Sequence, residues 1–203
     1  GVPRKFLRSI HDALRAPLGR GPVAPVDQAT LDAEQRFRAV MSRGRISPWT
    51  LALVVACIAT TSLEFFRGAQ TREELVAMGA LVGRLALHGH PEMLLAYGFL
   101  HGGFFHVMMN MLALDSVGRP LEKLIGGRRM LLVFTLSVLG GGLLVSIMRP
   151  DQLVVGASAG IFGLITALLG IALRGGGDLP ELARARIRRS IVMTLMLNLG
   201  ISL

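Results

Sequence analysis

The residue in this chain best suited to covalent chemistry is Ser158, in the stretch "VVGASAGIFGLITALLG" (residues 154–170). Its hydroxyl stands among small residues at the start of an apolar run. A serine becomes a nucleophile when a base takes its proton and hydrogen-bond donors stabilise the oxyanion formed on the attacked carbonyl. Near a helix start, free backbone N–H groups and the helix dipole favour such negative charge. Ser158 is therefore a candidate nucleophile for acyl transfer.

The same stretch also has the pattern of a helix-packing surface. Gly156 and Gly160 are four residues apart, and small residues recur at the same spacing at Ala159, Gly163 and Ala167. Such spacing lets two helices approach closely, with the serine as one more small residue. The two glycines would equally let a substrate approach the backbone. From this stretch alone, both interpretations stay open.

Two further polar residues, His106 and Asn110, lie in "HGGFFHVMMNMLAL" (residues 101–114). Their spacing of four places both side chains on one face of a helix. An imidazole N–H and a side-chain amide could stabilise an oxyanion together with the backbone N–H of Ser158, or they could hydrogen-bond between helices. From the residues alone, His106 is also the only plausible base for Ser158.

The composition predicts a membrane protein with several spans. Of the 203 residues, 52% are hydrophobic and only 17% are charged, which leaves too little charge to cover a soluble domain. The net charge of +9 falls between apolar runs and not on one face, so we expect no nucleic-acid partner.

The residues of the types that bind metals, histidine and cysteine, also lack the spacing of a metal site. The four histidines at positions 88, 90, 101 and 106 lack the spacing and neighbouring carboxylates of a metal site. The single cysteine, Cys57, lies inside an apolar run without a partner. We expect no metal and no cofactor.

The apolar runs predict two regions. Residues 1–47 form a basic cytosolic tail, partly disordered, with a short helix over Leu31–Met41. Residues 48–203 form the membrane domain, truncated in its fifth span. Its spans are predicted at 48–66, 104–117, 130–148, 153–173 and from about 187 onward. The connection over 67–100 is too apolar for a solvated loop, so we expect it to lie in the interface or to dip partway into the bilayer.

The distribution of basic residues predicts the orientation. Lys and Arg number nine in the tail, three in 67–100, four in 115–129, one in 149–152 and five in 174–189. This alternation places the N-terminus in the cytoplasm. His106, Asn110 and Ser158 then share a depth just below the outer interface, although depth played no part in assigning the orientation.

Together these motifs resemble the rhomboid intramembrane serine proteases over residues 49–203. "GASAGIFGL" resembles the Gly-x-Ser nucleophile motif of that family, "HGGFFHVMMN" its His-x-x-x-x-His-x-x-x-Asn stretch, and "LEKLIGGRRM" the segment after its second span. The resemblance implies an all-α polytopic helical bundle with five of six core spans in this chain.

The resemblance also implies roles for individual residues. Ser158 would be the nucleophile, and His106 and Asn110 would stabilise the oxyanion. Gly156, Gly160 and His101 would support the motif. Elsewhere, Glu122 would make a structural polar contact near the cytosolic side.

The family's general base is a histidine on its sixth span, in an Ala-His-x-x-Gly-like setting. Because the sequence has no histidine after His106 and stops in an apolar run at Leu203, we expect the base beyond this chain. Two departures concern neighbouring positions. Glu92 and Met93 stand where the family usually has Trp-Arg, and Ala159 follows the serine where Gly is usual.

The implied function is an intramembrane serine endopeptidase that cleaves single-span or membrane-anchored proteins near the outer interface. It would be a multi-pass protein of the lipid bilayer, in a bacterial inner membrane. One alternative is a non-catalytic rhomboid-like protein that binds transmembrane clients. Another is a transporter or channel fragment, which would need a polar stripe along several spans.

Overall fold

The computed structural model describes residues 28–42, 46–68 and 71–174, and this part of the chain is mostly helical. In chain order the elements are α1 (Gln28–Ser42), α2 (Pro48–Phe66), α3 (Arg72–Ala77), β1 (Leu81–Val82), α4 (Gly83–Leu87), α5 (Met93–Ala96), a 3-10 helix (Tyr97–Phe99), α6 (Phe104–Ile125), α7 (Gly127–Met148), β2 (Leu153–Val154) and α8 (Ser158–Arg174). The all-α helical bundle expected from the sequence is confirmed.

Two of these helices, α2 and α7, are long and apolar enough to cross a membrane, and α8 carries a shorter apolar stretch over Ser158–Ile171. Many of their large apolar side chains are exposed on the outside of the bundle; examples are Leu51, Val55, Leu132, Leu136 and Ile147. Water would penalise such a surface, whereas lipid would cover it. The first predicted span, 48–66, coincides with α2.

The predicted end of the second span and the predicted start of the third differ from the ends of the helices. Helix α6 continues past 117 to Ile125, and α7 already begins at Gly127. Only Gly126, with a left-handed φ of 85°, separates the two helices in the segment predicted as a connection. The predicted end followed apolar character, but the charged residues in the second half of α6 are compatible with helical backbone.

The fourth span also begins later than predicted. Instead of starting at 153, the helix starts at Ser158. Leu153 and Val154 form an antiparallel pair with Val82 and Leu81. This pairing partner lies far away in the sequence, so local periodicity could not reveal it.

The connection over 67–100 folds onto the bundle through three short helices and strand β1. Helix α3 starts with a capping box, in which Thr71 and Glu74 bond each other's backbone N–H. Leu81, Met93 and Tyr97 are buried in the main apolar core. The connection is therefore a packed part of the bundle and not a solvated loop.

Helices α7 and α8 pack closely along the small residues of α8. A Cβ on Gly160 would lie 2.4 Å from the ring of Phe134, and a Cβ on Gly163 would lie 1.8 Å from Ser137 Oγ. Neither distance is possible, so both positions require glycine as long as α7 stays in place. The packing interpretation of these glycines therefore agrees with the structure.

The bundle has two distinguishable ends. At one end, which we call the serine end, the last turn of α2 meets the start of α6, and the start of α6 meets the start of α8. At the opposite end, Glu122 of α6 accepts hydrogen bonds from the backbone N–H groups of Trp49 and Thr50 and from the Thr50 hydroxyl. The polar contact expected of Glu122 thus anchors the start of α2.

The predicted tail helix exists as α1, slightly longer than the expected Leu31–Met41, and it contacts α6. The rest of the basic tail before residue 28 and the fifth span lie outside the described residues.

Candidate active site

Ser158 is the first residue of α8 and is half-buried. The first helical hydrogen bond runs from Ile161 N–H to Ala157 O (3.0 Å), so the amides of residues 158–160 precede it. Just before the helix, Gly156 is buried and has a φ of 120°, in a region closed to most side chains. The expected placement of the serine at a helix start is therefore what the structure shows.

His106, in the first turn of α6, packs directly against Gly156. A Cβ on Gly156 would lie 2.8 Å from His106 Nε2 and 2.9 Å from Cε1. The absence of a side chain at Gly156 therefore makes room for the imidazole. This contact brings together two of the sequence-predicted site residues, because His106 lies against Gly156, which is two residues before Ser158.

The other imidazole nitrogen fixes the protonation pattern of His106. Its Nδ1 lies 2.7 Å from the carbonyl oxygen of His101. A carbonyl can only accept, so Nδ1 carries a hydrogen and donates it. In the neutral ring, Nε2 is then a proton acceptor facing Gly156; in the imidazolium it would be a donor. The geometry thus allows either a base or an oxyanion donor at Nε2.

Asn110 lies one turn further along α6 and is buried, with only 2% of its surface exposed. Its Nδ2 donates to the backbone oxygen of His106 (3.0 Å), and its second amide hydrogen remains available. Its buried Oδ1 has no hydrogen-bond partner within the described residues. A buried amide that is only half satisfied by its own helix is a costly arrangement without another role.

His101 is fully buried beside His106, with the two rings 5.2 Å apart in an edge-to-face arrangement. Its Nδ1 donates to the carbonyl of Phe99 (3.1 Å), and the Thr61 hydroxyl lies 3.3 Å away. Burial, assisted by the neighbouring His106, lowers the pKa of His101 to about 4. His101 is therefore neutral near pH 7, and it supports the site through its backbone carbonyl.

Glu64, which the sequence analysis did not single out, holds the segment in front of α6. It lies in the last turn of α2 with 3% of its surface exposed. Its Oε1 accepts the His101 N–H (2.9 Å), and its Oε2 accepts the Gly102 N–H (2.8 Å). The available signal was an acidic residue near the end of an apolar run, where a charge is costly unless partnered.

Tyr97 is a second residue that sequence reasoning missed. Its hydroxyl donates to the Val138 carbonyl on α7 (2.8 Å), and its own carbonyl accepts the Gly156 N–H (2.9 Å). The signal here was the only tyrosine of the chain, placed in an apolar connection where its hydroxyl must find a partner. Tyr97 links the connection to the loop that precedes Ser158.

Within residues 28–42, 46–68 and 71–174, no three metal-ligating side chains come together. At the serine end, the side chains of Glu64, Tyr97, His101, His106 and Asn110 each hydrogen-bond at least one backbone atom.

Comparison with known proteins places this arrangement in a family. Residues 88–203 match the model of the Rhomboid domain. Over 162 residues the chain is 32% identical to the Rhomboid protease GluP of Bacillus subtilis (strain 168), which covers 80% of this chain and 31% of that protein. Over 127 residues it is 36% identical to RHOMBOID-like protein 2 of Arabidopsis thaliana, with 62% of this chain and 40% of that protein covered.

The chain thus spans about a third of the length of these curated relatives, and no solved structure matches it. Rhomboid proteins are integral membrane proteins, which fits the two apolar helices long enough to cross a bilayer. The family model covers more than half of the chain, including Tyr97, His101, His106, Asn110 and Ser158. This chain belongs to the rhomboid family.

Proposed function

We propose that this chain carries the nucleophile of an intramembrane serine endopeptidase, with Ser158 as the attacking residue and with His106 and Asn110 as oxyanion donors. The single observation that supports this most is the contact between His106 and Gly156 at the start of α8. It sets an imidazole against the residue two positions before Ser158, a half-buried serine whose backbone amide precedes the first helical hydrogen bond. The name of one relative, a rhomboid protease, agrees with this chemistry.

In the proposed reaction, Ser158 Oγ attacks the carbonyl carbon of a substrate peptide bond, and a histidine base takes the hydroxyl proton. The oxyanion is stabilised by the Ser158 N–H, by the free amide hydrogen of Asn110 and, when the ring carries a second proton, by the Nε2–H of His106. The base returns its proton to the leaving amine as the peptide bond breaks. Water then hydrolyses the acyl-enzyme and regenerates the hydroxyl.

Two assignments of the base follow from the residues. The family resemblance assigns it to a histidine beyond Leu203. The alternative is His106 itself, whose Nε2 is a proton acceptor in the neutral ring. Glutamine at 106 cannot accept a proton in this way but can still donate an N–H, so His106→Gln separates the two. Retention of most activity favours the donor role, and complete loss favours the base.

The test uses the full-length protein in vesicles with a reporter membrane substrate. We expect Ser158→Ala to abolish cleavage because the nucleophile is gone. Ser146→Ala is the matched control, since Ser146 is buried in α7 and its hydroxyl donates to the carbonyl of Gly142. Unchanged cleavage by Ser158→Ala would refute the nucleophile assignment.

Asn110→Ala should reduce cleavage without abolishing it. Removal of one oxyanion donor costs about 100- to 1000-fold in rate, and the Ser158 N–H would remain. The alternative function, non-catalytic binding of transmembrane clients, predicts no cleavage by the unmodified protein in the same assay.

From the basic residues we further propose a cytoplasmic N-terminus with the serine end toward the outer side. As a separate proposal, we place the protein in a bacterial inner membrane. Substrates would be single-span or membrane-anchored proteins whose helix unwinds near the outer interface.

A further inference from the structure

Glu64 is a buried acid, and within the described residues it forms no salt bridge with a basic side chain. Instead, both of its carboxylate oxygens accept backbone N–H groups, from His101 and from Gly102. Burying a carboxylate is costly, and charge-assisted bonds to two amides offset that cost. The position of these two amides shows what the carboxylate acts on.

The peptide unit between His101 and Gly102 is held from both sides. Its N–H, on Gly102, donates to Glu64 Oε2 (2.8 Å). Its carbonyl, on His101, accepts the hydrogen of His106 Nδ1 (2.7 Å). A peptide unit is planar and rigid, so fixing the N–H fixes the direction of the carbonyl. A carbonyl whose N–H bonds a carboxylate is also a stronger acceptor.

We infer that Glu64 is a positioning residue for His106, acting through the His101–Gly102 peptide. It holds the imidazole in the form with hydrogen on Nδ1 and turns Nε2 toward the start of α8. The arrangement places one peptide unit between a carboxylate and a histidine, where other hydrolases bond the two directly. The inference rests on the proposed function only for its effect on catalysis, since the orientation of His106 can be measured on its own.

Residue 122 supplies a matched control at the opposite end of the bundle. Like Glu64, Glu122 is a buried acid that accepts two backbone N–H groups, from Trp49 and Thr50. It has no contact with His101 or His106. Glu64→Gln and Glu122→Gln therefore remove the same kind of bond, and only the first removes it from the site.

The experiment records nitrogen-15 spectra of histidine-labelled full-length protein in detergent, with His106 assigned from its loss in His106→Gln. In the unmodified protein, we expect one protonated nitrogen, Nδ1, and one unprotonated nitrogen, Nε2. In Glu64→Gln, the side-chain NH2 group faces one of the two backbone N–H groups, and two donors repel each other. We therefore expect the His101–Gly102 peptide to turn and the Nε2-protonated form of His106 to gain population. Glu122→Gln should leave the His106 signals unchanged.

The kinetic arm measures cleavage normalised to folded protein. Because the turned peptide no longer directs His106 Nε2 to the start of α8, Glu64→Gln should lower kcat by about 10- to 100-fold, the range known for partners of metal-bound histidines, with KM within about twofold. An unchanged His106 spectrum in Glu64→Gln would overturn the inference, as would equal kcat losses in both variants. Absence of cleavage by the unmodified protein would refute the proposed function, while the spectra would still decide whether Glu64 positions His106.

Discussion

At the scale of single residues, Gly156 shows how closely the site depends on one missing side chain. It has a φ of 120°, and its Cα faces the nitrogen of His106 that points into the site. The sequence suggested that glycine there lets a backbone or substrate approach. The structure shows that the group approaching it is the imidazole of the chain itself.

Replacing Gly156 with alanine should therefore damage the site in two ways. The backbone strain costs on the order of 1–3 kcal/mol, and the new Cβ displaces the His106 ring. Gly89→Ala is the control, because Gly89 has a φ of 140° in an exposed loop with nothing within 4 Å. We expect cleavage to fall at least tenfold in Gly156→Ala, and Gly89→Ala to keep full activity; comparable activity of the two variants would contradict this account.

The candidate residues at this scale were largely predictable, but their supporting bonds were not. Ser158, His106 and Asn110 can be identified from the sequence because they are polar residues in apolar runs. Glu64 gives the same kind of signal, yet its partners are backbone amides nearly forty positions away. No spacing rule connects a side chain to the backbone of another element, so the link between Glu64 and His106 required coordinates.

At the scale of elements, the segment from Tyr97 to Gly102 connects three parts of the bundle. It is bonded to α7 through the Tyr97 hydroxyl, to the loop before α8 through the Tyr97 carbonyl, and to α2 through Glu64. The Thr60 hydroxyl adds a bond to the Phe99 carbonyl (2.5 Å). The orientation of His106 is thus set by a segment that the sequence described only as an apolar connection.

This segment should make the fold sensitive to mild acid through His101. Its pKa falls from 6.5 to about 4 on burial, so the unfolded state binds more protons between these values. Stability therefore decreases as the pH falls from about 6.5 toward 4. His101→Asn keeps an N–H donor for the Phe99 carbonyl but does not titrate.

Thermal unfolding in detergent at pH 7 and pH 5 measures this effect. The unmodified protein should lose more thermal stability than His101→Asn between the two pH values. Equal losses in the two proteins would show that His101 does not titrate in a buried site.

The small residues of α8 serve two neighbouring purposes. Gly160 and Gly163 accommodate α7, whereas Gly156 accommodates His106. The choice between packing and chemistry therefore does not divide the motif as a whole. Some positions of α8 serve packing, and Gly156 in the loop before α8 makes room for His106. A repeat of small residues cannot indicate which position has which role.

At the scale of the whole molecule, the fold class and the order of the main helices were predictable from apolar runs alone. The first span was predicted at about 48–66, with Trp49 and two phenylalanines marking its ends, and this range coincides with α2. Later helix ends differ from the prediction because a helix does not always end where the apolar run ends. Helix α6 remains helical through its charged half, and α8 is preceded by a strand pair instead of another helical turn.

The orientation proposed from the basic residues can be tested with single cysteines. Cys57 is the only cysteine and is buried, so Cys57→Ala gives a suitable background. His90 and Arg128 are both exposed, in the connection over 67–100 and at the start of α7 respectively. In intact cells, His90→Cys should react with a membrane-impermeant maleimide, and Arg128→Cys should react only after the membrane is opened. The reverse pattern would invert the orientation.

Covalent labelling shows directly whether Ser158 is the nucleophile. The full-length protein is treated with a fluorophosphonate, which modifies activated serines, and the adduct is located by peptide mass spectrometry. The account predicts an adduct on Ser158 that disappears in Ser158→Ala and persists in Ser146→Ala. An adduct on another serine would contradict the assignment of Ser158 as the nucleophile. So would loss of cleavage on treatment with the probe while Ser158 stays unmodified.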